Sequence, residues 1–196
     1  MPSSADAGAI TDRLTAALRD GADRVADAAS RAGGIPTLVL IDGRSGAGKS
    51  TFADLVALRL RGATIVRLDD VYPGWDGLRA GAETVRTDVL APLRRGEARE
   101  WPLWDWAANA PSGLSGRCDP APFVIVEGAG VVTEASARLA DVTVWLDAPA
   151  DARKERALAR DGDTFRPHWE RWAEQEEAHL RDHAPQTRAR IVLALP

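Results

Sequence analysis

The chain is poor in several residue types: 196 residues contain one cysteine, one tyrosine, one methionine and three phenylalanines. The single cysteine, Cys118, excludes an intrachain disulfide and suits a reducing compartment. With no histidine near it in sequence, it reads as an inert small residue rather than a nucleophile. Basic charge is not in excess either, since 25 Lys and Arg stand against 29 Asp and Glu for a net charge of −4. That removes a chain-wide field for nucleic acid. No stretch approaches the roughly 20 apolar residues of a membrane span. The opening MPSSADAGAITDRL has no charged segment followed by an apolar run, so no secretory signal is read. His168, His179 and His183 share no metal-ligand spacing with the cysteine, which argues against a zinc site. These absences point to a cytoplasmic globular protein whose partners are neither nucleic acid nor membrane, and they leave a homo-oligomer open.

Against that background one stretch stands out, IDGRSGAGKST at residues 41–51. Gly43, Gly48, Lys49 and Ser50 fill the pattern G-x-x-x-x-G-K-[ST]. Its glycines permit backbone angles that aim successive N–H groups at phosphate oxygens, and the helix that follows adds its positive end. Gly43, Arg44, Ser45, Gly46, Ala47, Gly48, Lys49, Ser50 and Thr51 are therefore expected to cradle a nucleotide's phosphates. Lys49 reaches the β- and γ-phosphates and Ser50 ligates Mg²⁺ in this reading, which makes ATP and Mg²⁺ the expected cofactors.

The context agrees with such a loop. Residues 37–42, TLVLID, are an apolar run suited to a buried parallel strand, and STFADLVALRLR has helical spacing. Further strands are predicted at 63–70 (ATIVRLDD), 123–128 (FVIVEG), 141–149 (DVTVWLDAP) and 188–195 (RARIVLAL). Helices are predicted at 9–31, where Ile10, Leu14, Leu18, Val25 and Ala29 keep helical spacing, and at 82–96, where Pro92 suggests a kink or early stop. Two more carry ADARKERALARDG and PHWERWAEQEEAHLRDH, and in the second Trp169, Trp172, Glu176 and Leu180 share a face read as core. Residues 101–122, rich in Trp, Pro and Gly, read as loop. The alternation implies an α/β class with a three-layer P-loop NTPase fold: a five-stranded parallel sheet and a helical lid at about 150–166. Residues 1–36 are expected to form an N-terminal helix and linker packed on a kinase domain at 37–196.

Phosphoryl transfer needs positioning, charge neutralisation and a group that receives the acceptor's proton. Asp69 and Asp70 end the strand after the loop helix, so one could take a hydroxyl proton and the other bind Mg²⁺. Glu127 ends FVIVEG, where an acid can orient water on Mg²⁺. Asp42, directly before the loop, is either a partner for the lysine or metal or a strand-end cap. Arg153, Arg156 and Arg160 share one helix face and could close over phosphates. Trp101, Trp104, Trp106 and Asp105 in REWPLWDWAANAP are either core or walls of an acceptor pocket.

Taken in order, these motifs resemble those of the uridine kinase and phosphoribulokinase family of P-loop kinases, over about Thr37 to Asp161. The resemblance implies a catalytic base at Asp69, an acceptor-site tyrosine at Tyr72 and an acid near the acceptor at Asp105 in PLWDW. It gives Glu127 in VIVEG a role near Mg²⁺ or the acceptor hydroxyls, and it makes ARKERALARD an arginine lid with Arg153, Arg156, Arg160 and Asp161. Departures also show. AANA replaces the family's His-Ser-Arg run, Val71 stands where an aromatic is usual, and GDTFRPHW follows the lid arginines. Trp75 in YPGWDGL and Trp104 are expected at the acceptor pocket. The expected activity is transfer of the ATP γ-phosphate to a hydroxyl of a nucleoside-like acceptor, or of a pantothenate- or gluconate-like one. Catalysis would rest on Lys49, Asp69, Arg156 and Arg160. The alternative is an ATP-binding regulatory module without kinase activity. Neither the N-K-x-D segment of GTPases nor the L-S-G-G-Q of ABC ATPases is present.

Overall fold

The computed structural model describes the backbone of residues 4–196 and the side chains from Asp12 onward. Helix α1 (Ser4–Ala32) leads into β1 (Thr37–Asp42), and α2 (Lys49–Ala57) connects it to β2 (Ala63–Arg67). A helical stretch follows: α3 (Leu78–Thr84), a π-helical segment (Val85–Leu90) and α4 (Ala91–Arg94). Next come β3 (Glu100–Asp105), β4 (Ala110–Arg117), β5 (Phe123–Glu127), α5 (Glu134–Ala137) and β6 (Val142–Asp147). The chain closes with α6 (Ala150–Phe165), α7 (Trp169–His183), α8 (Pro185–Arg188) and β7 (Ile191–Ala194).

Five strands form a parallel sheet in the order β2-β5-β1-β6-β7. Every residue of β1 is buried, and its side chains alternate between two cores. Leu38 and Leu40 join Val124, Val126 and the α3–α4 side chains on one face. Val39 and Ile41 join α1 and α2 on the other, where Leu18, Ala22, Val25 and Ala29 of α1 pack. Ile10, expected on the same α1 face, has a side chain outside the described residues. Both faces of the sheet are thus covered by helices, which is why these strands read as unbroken apolar runs.

Three expectations need correction. Residues 101–122 are not simply loop, because β3 and β4 pair as an antiparallel hairpin. It tolerates Pro102 and Pro111 because a two-stranded ribbon has an outer edge on each strand where no N–H is required. Trp101 sits opposite Gly116, where any side chain would collide with the indole. Second, β2 ends at Arg67, and Leu68–Asp70 tighten into a 3₁₀ turn in which Val71 and Tyr72 N–H both donate to the Leu68 carbonyl. Third, Pro92 does not stop the helix early. The preceding turns widen to π geometry, and the helix ends at Arg94 with Gly96 left-handed at φ 74°.

Candidate active site

The centre of the sheet sets the site. The chain leaves β1 between its neighbours β5 and β6 and turns straight into α2, the crevice position where open α/β sheets bind ligands. Gly48 precedes α2 at φ 93°, and no side chain caps the helix start. The first N–H groups of α2 are thus left for an anion, with the helix dipole behind them. Gly46, at φ 78°, lies so close to α6 that a methyl group there would overlap the Arg153 carbonyl oxygen.

Side chains from α6 and α7 hold the outer side of the loop. Glu176, only 3% exposed, accepts from Ser45 N–H at 2.7 Å and Arg44 Nε at 3.0 Å. Arg153 Nη1 donates to the Ser45 carbonyl at 3.2 Å, and Arg156 Nε to that of Gly46 at 2.9 Å. Arg44 also pairs with Glu177, so its guanidinium is turned to α7 rather than into the loop. The inner side is a cavity of about 220 Å³ lined by Ser45, Gly46, Gly48, Lys49, Ser50 and Thr51, with Glu127, Arg156 and Arg160 across from them. Gly43, Arg44 and Ala47 are not in that lining. Lys49 Nζ donates to the Arg44 carbonyl at 3.3 Å.

The acids separate by position. Glu127, 3% exposed, lines this loop cavity and accepts from Arg67 Nη1 at 3.2 Å. Burial pushes its carboxyl above the usual range, while Lys49 pulls the other way. Asp69 lines both this cavity and the one beside it, and its carboxylate makes no hydrogen bond or ion pair among the described residues. Asp70, expected at the metal, lines neither. Successive residues of a 3₁₀ turn point about 120° apart, so only one of the two can face the cavity. Asp70 is held above the usual range by burial and by Asp69. Asp42 is a strand-end clamp. Its Oδ1 accepts from Gly43 and Gly130 N–H, its Oδ2 from Val132 N–H, and His179 Nε2 lies 3.1 Å from Oδ2.

The three arginines of α6 expected to form a lid differ in their surroundings. Arg153 is buried against the Ala148 and Ser45 carbonyls, and burial lowers its pKa. Arg160 lines both cavities and pairs with Asp161, which raises its pKa. Arg156 carries the informative atom. Its Nη2 is buried without a hydrogen-bond partner among the described residues, in a side chain lining the cavity beside the loop, and burial lowers its pKa. An orphaned guanidinium N–H beside Lys49 and a helix N-terminus is a donor set matched to a polyanion.

The second cavity, about 520 Å³, opens beside the first and shares Ser45, Ser50, Asp69, Tyr72, Arg160 and Trp172 with it. Its remaining wall has an aromatic part, Trp75, Trp106 and Phe165, and a polar part, Arg67, Asp161 and Thr164. Trp75 is the hub, stacked on Phe165 at 5.5 Å and His168 at 4.3 Å and tilted against Trp106 at 4.7 Å. Tyr72 donates its hydroxyl to the Ala129 carbonyl at 2.7 Å, so it presents ring rather than hydroxyl. Trp104 and Asp105 are not in the lining. Trp104 packs on Gly74, and Asp105 Oδ1 accepts from Ala107 and Ala108 N–H, closing the turn of the hairpin.

No protein-family model matches the chain. Uridine kinase from Staphylococcus aureus strain JH9 is 28% identical over 141 residues, which cover 64% of this chain and 68% of that one. A Bacillus stearothermophilus protein named as a possible uridine kinase superposes with a TM-score of 0.67 at 20% identity, over 90% of this chain and 98% of the other. The chain is thus similar to a uridine kinase over 141 residues and shares the fold of these kinases over most of its length. A Silicibacter sp. TM1040 protein provisionally assigned as a fructose transport system kinase shares the fold, with a TM-score of 0.55 at 17% identity over 89% and 98% of the two chains. Of the tryptophans read as either core or pocket wall, Trp106 lines the second cavity. The structure also adds candidates that the motifs did not reveal: Phe165 lines the second cavity, and Glu176 reaches the loop from 131 residues away in sequence. The helix-face pattern around Trp172 was visible, but its second role was not. Trp172 is core and cavity wall at once. Cys118 is buried, with its thiol pushed up to about 11 by burial and Asp119.

Proposed function

We propose that this protein transfers the γ-phosphate of ATP to a hydroxyl of a small acceptor. The observation that carries the reading is the shared boundary of the two cavities: Asp69, Ser50 and Arg160 line both. A donor's phosphates in one and a hydroxyl in the other would meet at a carboxylate with no other partner. Asp69 would take the hydroxyl proton as the acceptor oxygen bonds to the γ-phosphorus and the bond to the departing ADP oxygen breaks. Lys49, Arg156, Arg160 and the start of α2 would neutralise charge on the transferring group. Tyr72, Trp75, Trp106, Phe165 and Trp172 would exclude water and hold the acceptor.

No group of three or more His, Cys, Asp or Glu side chains able to hold a metal occurs among the described residues. Ser50 and the buried Glu127 line one cavity, an oxygen donor pair that fits Mg²⁺, which takes one or two protein ligands and completes its shell with phosphates and water. Ser50 and Glu127 would hold it, and bound there it supplies charge neutralisation for the β- and γ-phosphates. The uridine kinase relative supports a nucleoside-like acceptor. The hairpin tip, Ala107–Ala110, offers no charged side chain to read one.

The test is ADP release across nucleosides, sugars, polyols and aromatic alcohols. One acceptor class is expected to stimulate release by at least about tenfold over the no-acceptor rate. Slow hydrolysis indifferent to the whole panel would support a regulatory nucleotide-binding module instead.

A further inference from the structure

Helix α7 touches both cavities and the loop between them at every turn facing the sheet. Trp172 lines both cavities and meets the Tyr72 ring edge-on at 4.9 Å. Gln175 donates its Nε2–H to the carbonyl of Trp75, the hub of the aromatic wall, at 2.7 Å. Glu176 takes Ser45 N–H at 2.7 Å and Arg44 Nε at 3.0 Å. His179 lies against Asp42, which holds Gly43 N–H at the loop entrance at 2.7 Å. Trp172 and Glu176 are four residues apart, so they lie on one face separated by about one helical turn of 5.4 Å.

Glu176 is not arranged as a surface ion pair. A buried carboxylate with only partial charge compensation is costly unless its hydrogen bonds are well made. Here one oxygen holds a loop peptide N–H and the other a loop side chain. From α6, Arg153 and Arg156 hold the loop's Ser45 and Gly46 carbonyls instead. Glu176 is thus the point where α7 fixes the loop, and Gln175 the point where α7 fixes the acceptor wall.

We propose that Glu176 is a positioning residue that couples phosphate binding in the loop to the aromatic wall of the acceptor cavity through α7. The inference rests on the kinase reading above. Trp75 lines the acceptor cavity but not the phosphate cavity, so a nucleotide's phosphates can reach it only through the protein.

The experiment replaces the seven tryptophans with 5-fluorotryptophan and follows the Trp75 ¹⁹F resonance, assigned with Trp75→Phe. The probe is the β,γ-imido analogue of ATP with Mg²⁺. In the native chain saturation with the analogue is expected to shift the Trp75 resonance. In Glu176→Gln, which keeps the size but loses the charge for Arg44, the analogue is expected to bind about tenfold more weakly, and at saturation the Trp75 shift is lost. Gln175→Leu, which cuts the other end, is expected to lose the shift while retaining near-native affinity, so the proposal is tested even if the Glu176 variant does not fold. An undiminished Trp75 shift in either folded variant at saturation would overturn the coupling while leaving the kinase reading intact. Failure of the analogue to bind the native chain would overturn both.

Discussion

Replacing Asp69 with Asn is expected to lower turnover by about 10²–10⁴-fold, the usual range for removing a general base. Nucleotide affinity, measured by calorimetric titration of an ATP analogue, is expected to stay close to native. The substitution keeps the shape of the side chain and removes only its ability to take a proton. Among the described residues the Asp69 carboxylate has no ion pair or hydrogen bond whose loss would disturb the turn, since the main-chain carbonyl, not the carboxylate, accepts from Trp106 Nε1. A fall of 10³ corresponds to ~4 kcal/mol of lost transition-state stabilisation. Asp70→Asn is the control, because Asp70 lies one position along the same turn and outside both cavities. Equal losses in the two variants would mean that the turn, rather than the Asp69 carboxylate, matters.

The second large effect is expected at Gly46. An alanine there must adopt a left-handed backbone, a cost of roughly 1–2 kcal/mol. Its methyl group would also overlap the Arg153 main-chain carbonyl. Backbone atoms cannot rotate aside, so either the loop or α6 must move. The Arg156 bond to the Gly46 carbonyl moves with it. Nucleotide affinity is therefore expected to fall by about 10²-fold or more in Gly46→Ala, equivalent to ~2.7 kcal/mol or more. Gly48→Ala isolates the backbone term, because a methyl group there meets nothing within 4 Å although its φ is also positive, at 93°. It should lose much less. Near-native binding by Gly46→Ala would show that the loop is free of α6.

The strand, loop and helix around Lys49 were legible because their geometry is local in sequence. A strand, a glycine loop and a helix start occupy fifteen consecutive positions, 37–51, and the peptide geometry of such a loop follows from its glycines. The sheet was legible for a similar reason, since strands buried on both faces must be apolar throughout. The acceptor side was only partly so. The hairpin strands are poor in β-branched residues and carry prolines and glycines, so β3 and β4 carry little local strand signal. Their pairing is held by the indole of Trp101 covering Gly116. Asp105 lies in a motif shared with acceptor-binding kinases, yet its carboxylate is spent on the hairpin turn, and the next residue, Trp106, reaches the cavity instead. The choice between Asp69 and Asp70 depended on a 3₁₀ turn that reads as strand. Glu176 was invisible as a loop residue because its partners, Arg44 and Ser45, lie more than 130 residues away in sequence.

If the proposed phosphate cavity delivers a phosphoryl group to a hydroxyl held in the second cavity, label in the γ-phosphate must move to the acceptor. Label transfer tests this most directly. The native chain and Asp69→Asn would each be incubated with Mg²⁺, ATP labelled in its γ-phosphate, and the acceptor that stimulates ADP release. Products would then be separated into inorganic phosphate and phosphorylated acceptor. The native chain is expected to place most of the label on the acceptor, and the variant almost none at equal time. Label appearing only as inorganic phosphate, at the same rate in both proteins, would contradict the claim.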